Sequence, residues 1–367
     1  MSAPNREAVA TRTGRAHNVT SHDVARAVGV SQSTVSRALR DDRRISEATK
    51  QRVRAAVAEL GYVPSDVGRS LVTRSSRTIA IVITDLSSVF YPYLIAPLHD
   101  EVAGRGYRMV LLTESLETDQ DAGLAGNGAT EVTPLLDKLL DRSVDGVVLT
   151  TSRLDGTVPR ELARRSLPFV FLTRFVDGIA ADIAVVDNSL GASLAAAEAV
   201  RLGHRRFGAI FGPADTSTGR DRERGVRAAL GAAGLGLDPG LVRHGPFTFD
   251  TGYAGMAELL ERDDPPTVVL CGNDTVAIGA FNAAASLGRA VPDDVSIVGF
   301  DDLPMASWEV FNLTTVHQPM EEMARTAIDL LVDRIEGGVE SSTVRQRVFE
   351  PRMVMRRTLA PPQDGRR

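Results

Sequence analysis

Residues 19–40 read VTSHDVARAVGVSQSTVSRALR, two short helical patterns on either side of one glycine. Thr20 and Asp23 have the Thr-x-x-Asp spacing of a capping box, so a helix is expected to start there. Val24, Ala27 and Val28 give it an apolar stripe at helical spacing, and Gly29 is placed to end it. Ser31 can cap a second helix, Gln32 to Leu39, with Val35, Ala38 and Leu39 turned inward. After the polar loop Arg40–Arg44, Ser46 can cap a longer helix through Leu60, with Val53, Ala56, Val57 and Leu60 inward. Gly61 stops it, and Tyr62-Val63-Pro64 breaks the chain, because a proline pushes the residue before it toward an extended conformation.

Two short helices joined through a glycine turn have the layout of a DNA-binding helix-turn-helix. Any helical hairpin shares that apolar spacing, so the polar face decides. Gln32, Ser33, Thr34, Ser36 and Arg37 lie in the half of the second helix that would meet base edges. Gln and Arg can make paired bonds to adenine and guanine, whereas Ser and Thr suit phosphate oxygens. A merely solvated face would more often carry Glu and Lys. Charge agrees: residues 1–77 hold 14 basic and 7 acidic side chains, while the rest holds 28 basic and 40 acidic. A basic head on an acidic body fits a polyanion-binding module joined to something else.

From Arg77 the texture changes to short apolar runs alternating with helical stretches. Strands are expected at Ile79–Ile83, Met109–Leu112, Gly146–Leu149, Phe169–Leu172, Phe207–Phe211, Thr267–Leu270 and Val295–Gly299. Helices are expected between them, such as Tyr93–Arg105, Pro134–Leu140, Gly191–Leu202, Arg222–Ala233, Gly252–Glu261 and Val276–Leu287. Such alternation implies parallel sheets with helices on both faces. The length of this region calls for two lobes, with any ligand at the carboxyl ends of strands. The Gly-rich stretch 117–130 reads as a mobile loop.

The chain has 367 residues, 43% apolar and 24% charged, the balance of a soluble globular protein. No apolar run reaches the roughly 18 residues of a membrane helix. The polar first residues carry no secretory signal, and the lone Cys271 forms no internal disulfide, so a cytoplasmic location without membrane association is expected. The six histidines, 17, 22, 99, 204, 244 and 317, lack metal-ligand spacing. There is no nucleophile elbow, Walker loop or dinucleotide fingerprint. No enzymatic activity, metal or cofactor is expected.

VTSHDVARAVGVSQSTVSRALR, followed by ISEATKQRVRAAVAELGYVP, closely resembles the head of the LacI/GalR family of bacterial transcription regulators. By that resemblance Gln32, Ser33 and Arg37 would read bases, and Thr20, Ser31, Thr34 and Ser36 would hold phosphates. Arg40 stands where the family usually has Asn. Ser65–Val72 matches the family's hinge helix, and Leu71 its minor-groove leucine, an apolar wedge of the kind that kinks DNA. Ser65 and Gly68 replace the usual Asn and Ala.

The resemblance continues to about Arg357, through Arg77-Thr78-Ile79-Ala80, Val186-Asp187-Asn188, Cys271-Gly272-Asn273-Asp274, Gly299-Phe300-Asp301-Asp302 and Leu313-Thr314-Thr315-Val316. It implies an all-α helix-turn-helix head (18–63) and a two-lobed α/β effector domain with parallel sheets (78–358), like periplasmic binding proteins of type I. The hinge and linker would be 64–77, with disordered tails at 1–17 and 359–367. One lobe would take about 78–176 and 318–340, the other about 177–316 and 341–358, with crossings near 176, 317 and 340. Arg222, Asn273 and Asp301 would be polar effector contacts, with Asp85, Phe90, Tyr91, Phe175 and Trp308 as further candidates. Asp302, Asp187 and His204 would be structural. The implied protein is a repressor whose homodimer binds a palindromic double-stranded operator and whose affinity a small effector controls; a sugar is expected. The rival reading is a binding protein or enzyme with the same two-lobed fold and no DNA partner.

Overall fold

The computed structural model describes residues 19–62, 75–84, 86–114, 133–140, 143–337 and 343–363. The chain divides into two compact units, 1–76 and 77–367. The expected tail 1–17, the hinge Ser65–Val72 with Leu71, Asp85 and the loop 117–130 lie outside the described residues.

The head has three helices: α1 (Ser21–Val28), α2 (Gln32–Leu39) and α3 (Glu47–Leu60). Thr20 forms the full capping box with Asp23, and Ser31 and Ser46 cap α2 and α3. Gly29 and Gly61 take the left-handed conformation that ends α1 and α3. The core is Val24, Ala25, Val28, Val35, Ala38 and Val53. Two inward assignments change: Ala25 is buried in place of the exposed Ala27, and Leu60 is 36% exposed at the last turn of α3.

The body contains strands β1 (Thr78–Ile83), β2 (Arg108–Thr113), β3 (Gly146–Leu149), β4 (Phe169–Leu172) and β5 (Asp182–Val186). They continue as β6 (Phe207–Phe211), β7 (Val242–His244), β8 (Val268–Cys271), β9 (Ser296–Val298), β10 (Thr315–His317), β11 (Gln346–Phe349) and β12 (Arg352–Val354). Its helices are α4 (Phe90–Gly104), α5 (Thr133–Leu140), α6 (Thr157–Arg164), α7 (Asn188–Arg201) and α8 (Ser217–Ala232). They end with α9 (Phe249–Leu260), α10 (Asp274–Ser286) and α11 (Met320–Ile335).

The strands build one parallel sheet in the order β11-β5-β4-β3-β1-β2 and a second in the order β7-β6-β8-β9. A small antiparallel pair, β10 with β12, sits at the crossings. Strands β1, β3, β4 and β5 are buried on both faces, as helix-covered parallel strands should be. Helices pack closely where glycine allows it. A Cβ on Gly225 of α8 would lie 2.1 Å from the Ser189 carbonyl of α7, and one on Gly252 of α9 would lie 1.9 Å from the Val276 carbonyl of α10.

The lobe boundaries differ from those expected. Strand β5 pairs with β4, and β11 pairs with β5, Gln346 opposite Ile183. Both therefore belong to the first lobe, and the crossings fall after Val186, around β10 and just before β12. Asp182, 1% exposed at its side chain, fixes this: its carboxylate accepts from Arg334 of α11 and from Arg345, each at 2.7 Å. Burial alone would raise that carboxyl, but the two guanidinium groups hold it below its usual range. Leu359 and Ala360, expected to belong to a disordered tail, are held to the body. Leu359 is buried, the Ala360 carbonyl lies 2.9 Å from His204 Nε2, and the Ile297 amide donates to the Thr358 carbonyl at 2.8 Å.

Candidate DNA-reading helix and effector cleft

On α2, Gln32, Ser33 and Arg37 are exposed. The Gln32 Nε2 donates to the Ser21 hydroxyl of α1 at 3.3 Å, which orients the amide. Ser31 accepts from the Thr34 amide at 3.2 Å, and its hydroxyl lies 2.8 Å from those of Ser33 and Thr34. Thr20 is engaged with Asp23, its hydroxyl donating to the carboxylate at 2.7 Å. Arg40 folds back along α2, donating to the Ser36 carbonyl at 3.1 Å and to its hydroxyl at 3.0 Å. The face combines exposed amide, hydroxyl and guanidinium groups on a helix that the caps hold rigid.

In the body, Arg222 organises the cleft. It is the sixth residue of α8, not the first as expected, because Thr216 caps that helix earlier. Its Nε donates to Asn188 Oδ1 at 2.8 Å, Nη1 to the Gly272 carbonyl at 2.6 Å and Nη2 to Asp301 Oδ1 at 3.2 Å. The guanidinium centre stands 3.6 Å from the Phe300 ring centroid. The side chain is 7% exposed, and burial lowers its pKa. Gln318 Nε2 donates to Asp301 at 2.8 Å, and the Asn273 side chain also bonds it. Burial pushes Asp301 up to about 6 against the pull of Arg222, Gln318 and Asn273. Asp301 also holds a strained backbone, with φ at 116°. Beneath it, burial raises fully buried Asp274, which accepts from Thr315 at 2.5 Å and from the Leu303 amide at 2.7 Å.

The structure thus brings Arg222, Asn273 and Asp301 together. Phe90 is half-buried and packs edge-on against Tyr91. Tyr91 is buried, and its hydroxyl lies 2.8 Å from that of Thr84. Phe175 lies at the lobe junction, its amide donating to Ser217 Oγ at 3.0 Å. Trp308 is 57% exposed at the end of a short 3-10 turn and does not join the Arg222 set. Asp302, Asp187 and His204 serve the frame: Asp302 accepts from Arg356 at 2.6 Å, Asp187 caps α7, and His204 bridges Thr267 and Ala360.

Sequence reasoning missed Asn188, Gln318, Arg174 and Phe247. The Phe247 ring centroid lies near two guanidinium groups, 5.6 Å from Arg174 and 5.9 Å from Arg222. It occupies the space left by Gly212 and Gly272, where added Cβ atoms would meet it at 2.0 and 3.1 Å. Its residue type was the one signal, because the strand before it, β7, is too short for its pattern to show. The lobes also touch directly: Arg153 pairs with Asp215 at 2.7 Å, and the Leu154 amide donates to the Asp215 carbonyl at 2.8 Å. Among the described residues, no group of His, Cys, Asp and Glu is arranged to hold a metal, and no helix is long and apolar enough to cross a membrane.

Residues 20–65 match the model of bacterial regulatory proteins of the lacI family, and residues 196–359 that of a periplasmic binding protein-like domain. The chain is 34% identical over 340 residues to the HTH-type transcriptional regulator CelR of Thermobifida fusca, covering 91% of this chain and 96% of that protein. The chain belongs to the LacI family. Among solved structures it resembles a CelR–cellobiose complex at 32% identity and a TM-score of 0.69, covering 93% of this chain and 99% of that one. It also resembles a lac repressor dimer bound to operator and the anti-inducer ONPF, at 25% identity and a TM-score of 0.80, covering 94% and 100%. This LacI-family chain is therefore a DNA-binding transcriptional regulator with an effector domain, not an enzyme.

Proposed function

We propose that this regulator is a cytoplasmic repressor whose homodimer binds a roughly palindromic operator and whose affinity changes when a sugar enters the cleft. Gln32, Ser33 and Arg37 read base edges, while Thr20, Ser31, Thr34 and Ser36 contact phosphates; Arg40 reaches a phosphate by swinging off Ser36. Leu71 enters the minor groove. Arg222, Asn273 and Asp301 hold the effector, with Phe90 and Phe175 on its apolar sides. The observation that carries this reading is the buried set Asn188–Arg222–Asp301–Asn273 beside Phe247: charged and amide groups next to an aromatic face suit a polyhydroxylated ring. The cellobiose in the CelR complex, and the operator and anti-inducer on the lac repressor dimer, support it by analogy.

The test is fluorescence anisotropy at fixed salt. DNA from upstream of the protein's own gene is compared with random DNA, with and without cellobiose, glucose and ribose. Tight binding to one fragment, altered by one of these sugars, is expected. Equal affinity for random DNA rejects the operator reading, and indifference to every sugar rejects the sugar reading.

A further inference from the structure

We propose that Arg356 and His317 are positioning residues for the effector site: through the Asp302 carboxylate they hold a strained turn that aims Asp301 at Arg222 and at the effector. The proposal rests on the reading of Asp301 as an effector contact and adds the device that keeps it in place.

Asp301 and Asp302 follow β9, and both have positive φ, 116° and 57°. Asp302 lies in the left-handed region that Asp tolerates. Asp301 lies outside those bounds, where glycine is favoured. Glycine has no carboxylate, and the Asp301 carboxylate accepts from Arg222 at 3.2 Å and from Gln318 at 2.8 Å. The chain therefore keeps a side chain on backbone that resists one. Such strain persists only where the surroundings over-determine it. Here the Asp301 amide donates to the Val316 carbonyl at 2.8 Å, and the Leu303 amide donates to Asp274 at 2.7 Å. Between these two bonds, Asp302 is pinned by its side chain. Its Oδ1 accepts from Arg356 Nη2 at 2.6 Å, and its Oδ2 accepts from His317 Nδ1 at 3.0 Å.

The anchors are themselves fixed. Arg356 Nη1 donates to the Leu313 carbonyl at 2.8 Å, and the Arg356 amide donates to the Thr314 hydroxyl at 2.9 Å. His317 ends β10, opposite Arg352 of β12. A carboxylate has no proton to give, so the Nδ1–H of His317 donates whichever charge the ring carries. His317 stands on, and Arg356 just beyond, the strand pair at the lobe crossings. A shift of those crossings therefore reaches Asp301 through one side chain. If Asp302 served folding alone, a glycine there would adopt the same backbone more freely and do as well.

That substitution is the test, made in the full chain. Asp302→Gly supplies the left-handed conformation but cuts the tether, and Arg356→Ala cuts it from the other side. Both are titrated calorimetrically with cellobiose, glucose and ribose. Each should hold the sugar that wild type binds roughly tenfold more weakly, the lower end for a lost charge-assisted hydrogen bond. Arg356→Lys keeps a charge beside Asp302 and should recover most of that affinity. A second readout needs no sugar: carbon-13 NMR of labelled Asp carboxyls, with Asp301→Asn assigning the signal. Burial pushes the Asp301 carboxyl up to about 6. A carboxyl released from the turn loses that burial, so its midpoint should fall toward the ordinary carboxylate range in both variants. A merely structural role would not move it. Should Asp302→Gly not fold, Arg356→Ala against Arg356→Lys decides on both readouts. An unchanged Asp301 midpoint overturns the proposal. So does wild-type sugar affinity in both variants, and in that case the sugar reading still stands. If no sugar binds wild type, the sugar reading fails, and the Asp301 midpoint alone decides the positioning.

Discussion

In the head, the outward-facing side chains are steadied by partners three residues away: Thr20 with Asp23, Ser31 with Thr34, Ser46 with Thr49. In the cleft, Arg222 is held by partners 34, 50 and 79 residues distant in sequence. The head presents exposed polar groups to a large, rigid partner and needs only a small core behind them. The cleft desolvates its polar groups first and so needs every one of them bonded. The two designs fail differently when altered.

The largest effect is expected at Arg222. Arg222→Ala strands Asp301 and Asn188 in a buried site, and removing one partner of a buried ion pair costs about 3–5 kcal/mol. Calorimetry of the full chain should show the body's transition lowered while the head keeps its operator affinity, with effector binding lost. Wild-type stability would mean that water reaches Asp301, and the contrast between a wet face and a dry cleft would break.

Glycines sharpen the same contrast. Gly252→Ala places a methyl 1.9 Å from the Val276 carbonyl, so α9 and α10 must move apart at a cost of about 1–3 kcal/mol. Gly29 in the head has nothing within 4 Å, but φ is 72°, so Gly29→Ala costs about 1–2 kcal/mol through conformation alone. Urea midpoints of the two variants should fall in that order.

In the head, Gln32→Ala should relax base choice at one symmetric pair of operator positions, worth about 1–3 kcal/mol. Thr34→Ala should weaken binding to all sequences alike, since phosphate contacts position without specifying. Selection on randomised operators separates them; an unaltered preference for the Gln32 variant rejects its role.

The smallest effect is in pH. Burial raises Asp301 to about 6, so its neutral form accumulates as pH falls through that value. A neutral carboxyl accepts more weakly from Arg222 and from the effector. Effector affinity should therefore drop about tenfold from pH 7 to pH 5. Asp301→Asn should flatten this profile, and a flat wild-type profile would show that binding does not use the ionised form.

What the sequence disclosed follows the same division. Caps and glycine stops are local, so α1 to α3 fall on the expected residues. Strands buried on both faces, such as Gly146–Leu149 and Phe169–Leu172, announce themselves as apolar runs. Strands β7, β11 and β12 are short and partly exposed, and no pattern marks them. The lobe boundary near 176 is misplaced by another strand, β5, which is fully buried but short and opens on the charged Asp182, so its pattern does not mark it. Arg222, Asn273 and Asp301 were legible through resemblance. Phe247, Gln318 and Asn188 were not, because they meet Arg222 and Asp301 only once distant strand ends come together.

The late strand β11 and the Thr358–Ala360 clasp on β9 and His204 have a consequence for synthesis. Both lobes wait for residues beyond 345, whereas the described core of the head lies wholly within residues 24–62. Chains emerge from the ribosome at roughly 5–20 residues per second, and amino-terminal domains fold first. For about 15–60 s of that rate, each nascent chain carries a finished, basic DNA-reading head with no finished sensor behind it. A ribosome that stalls in this interval leaves a head that no effector can govern.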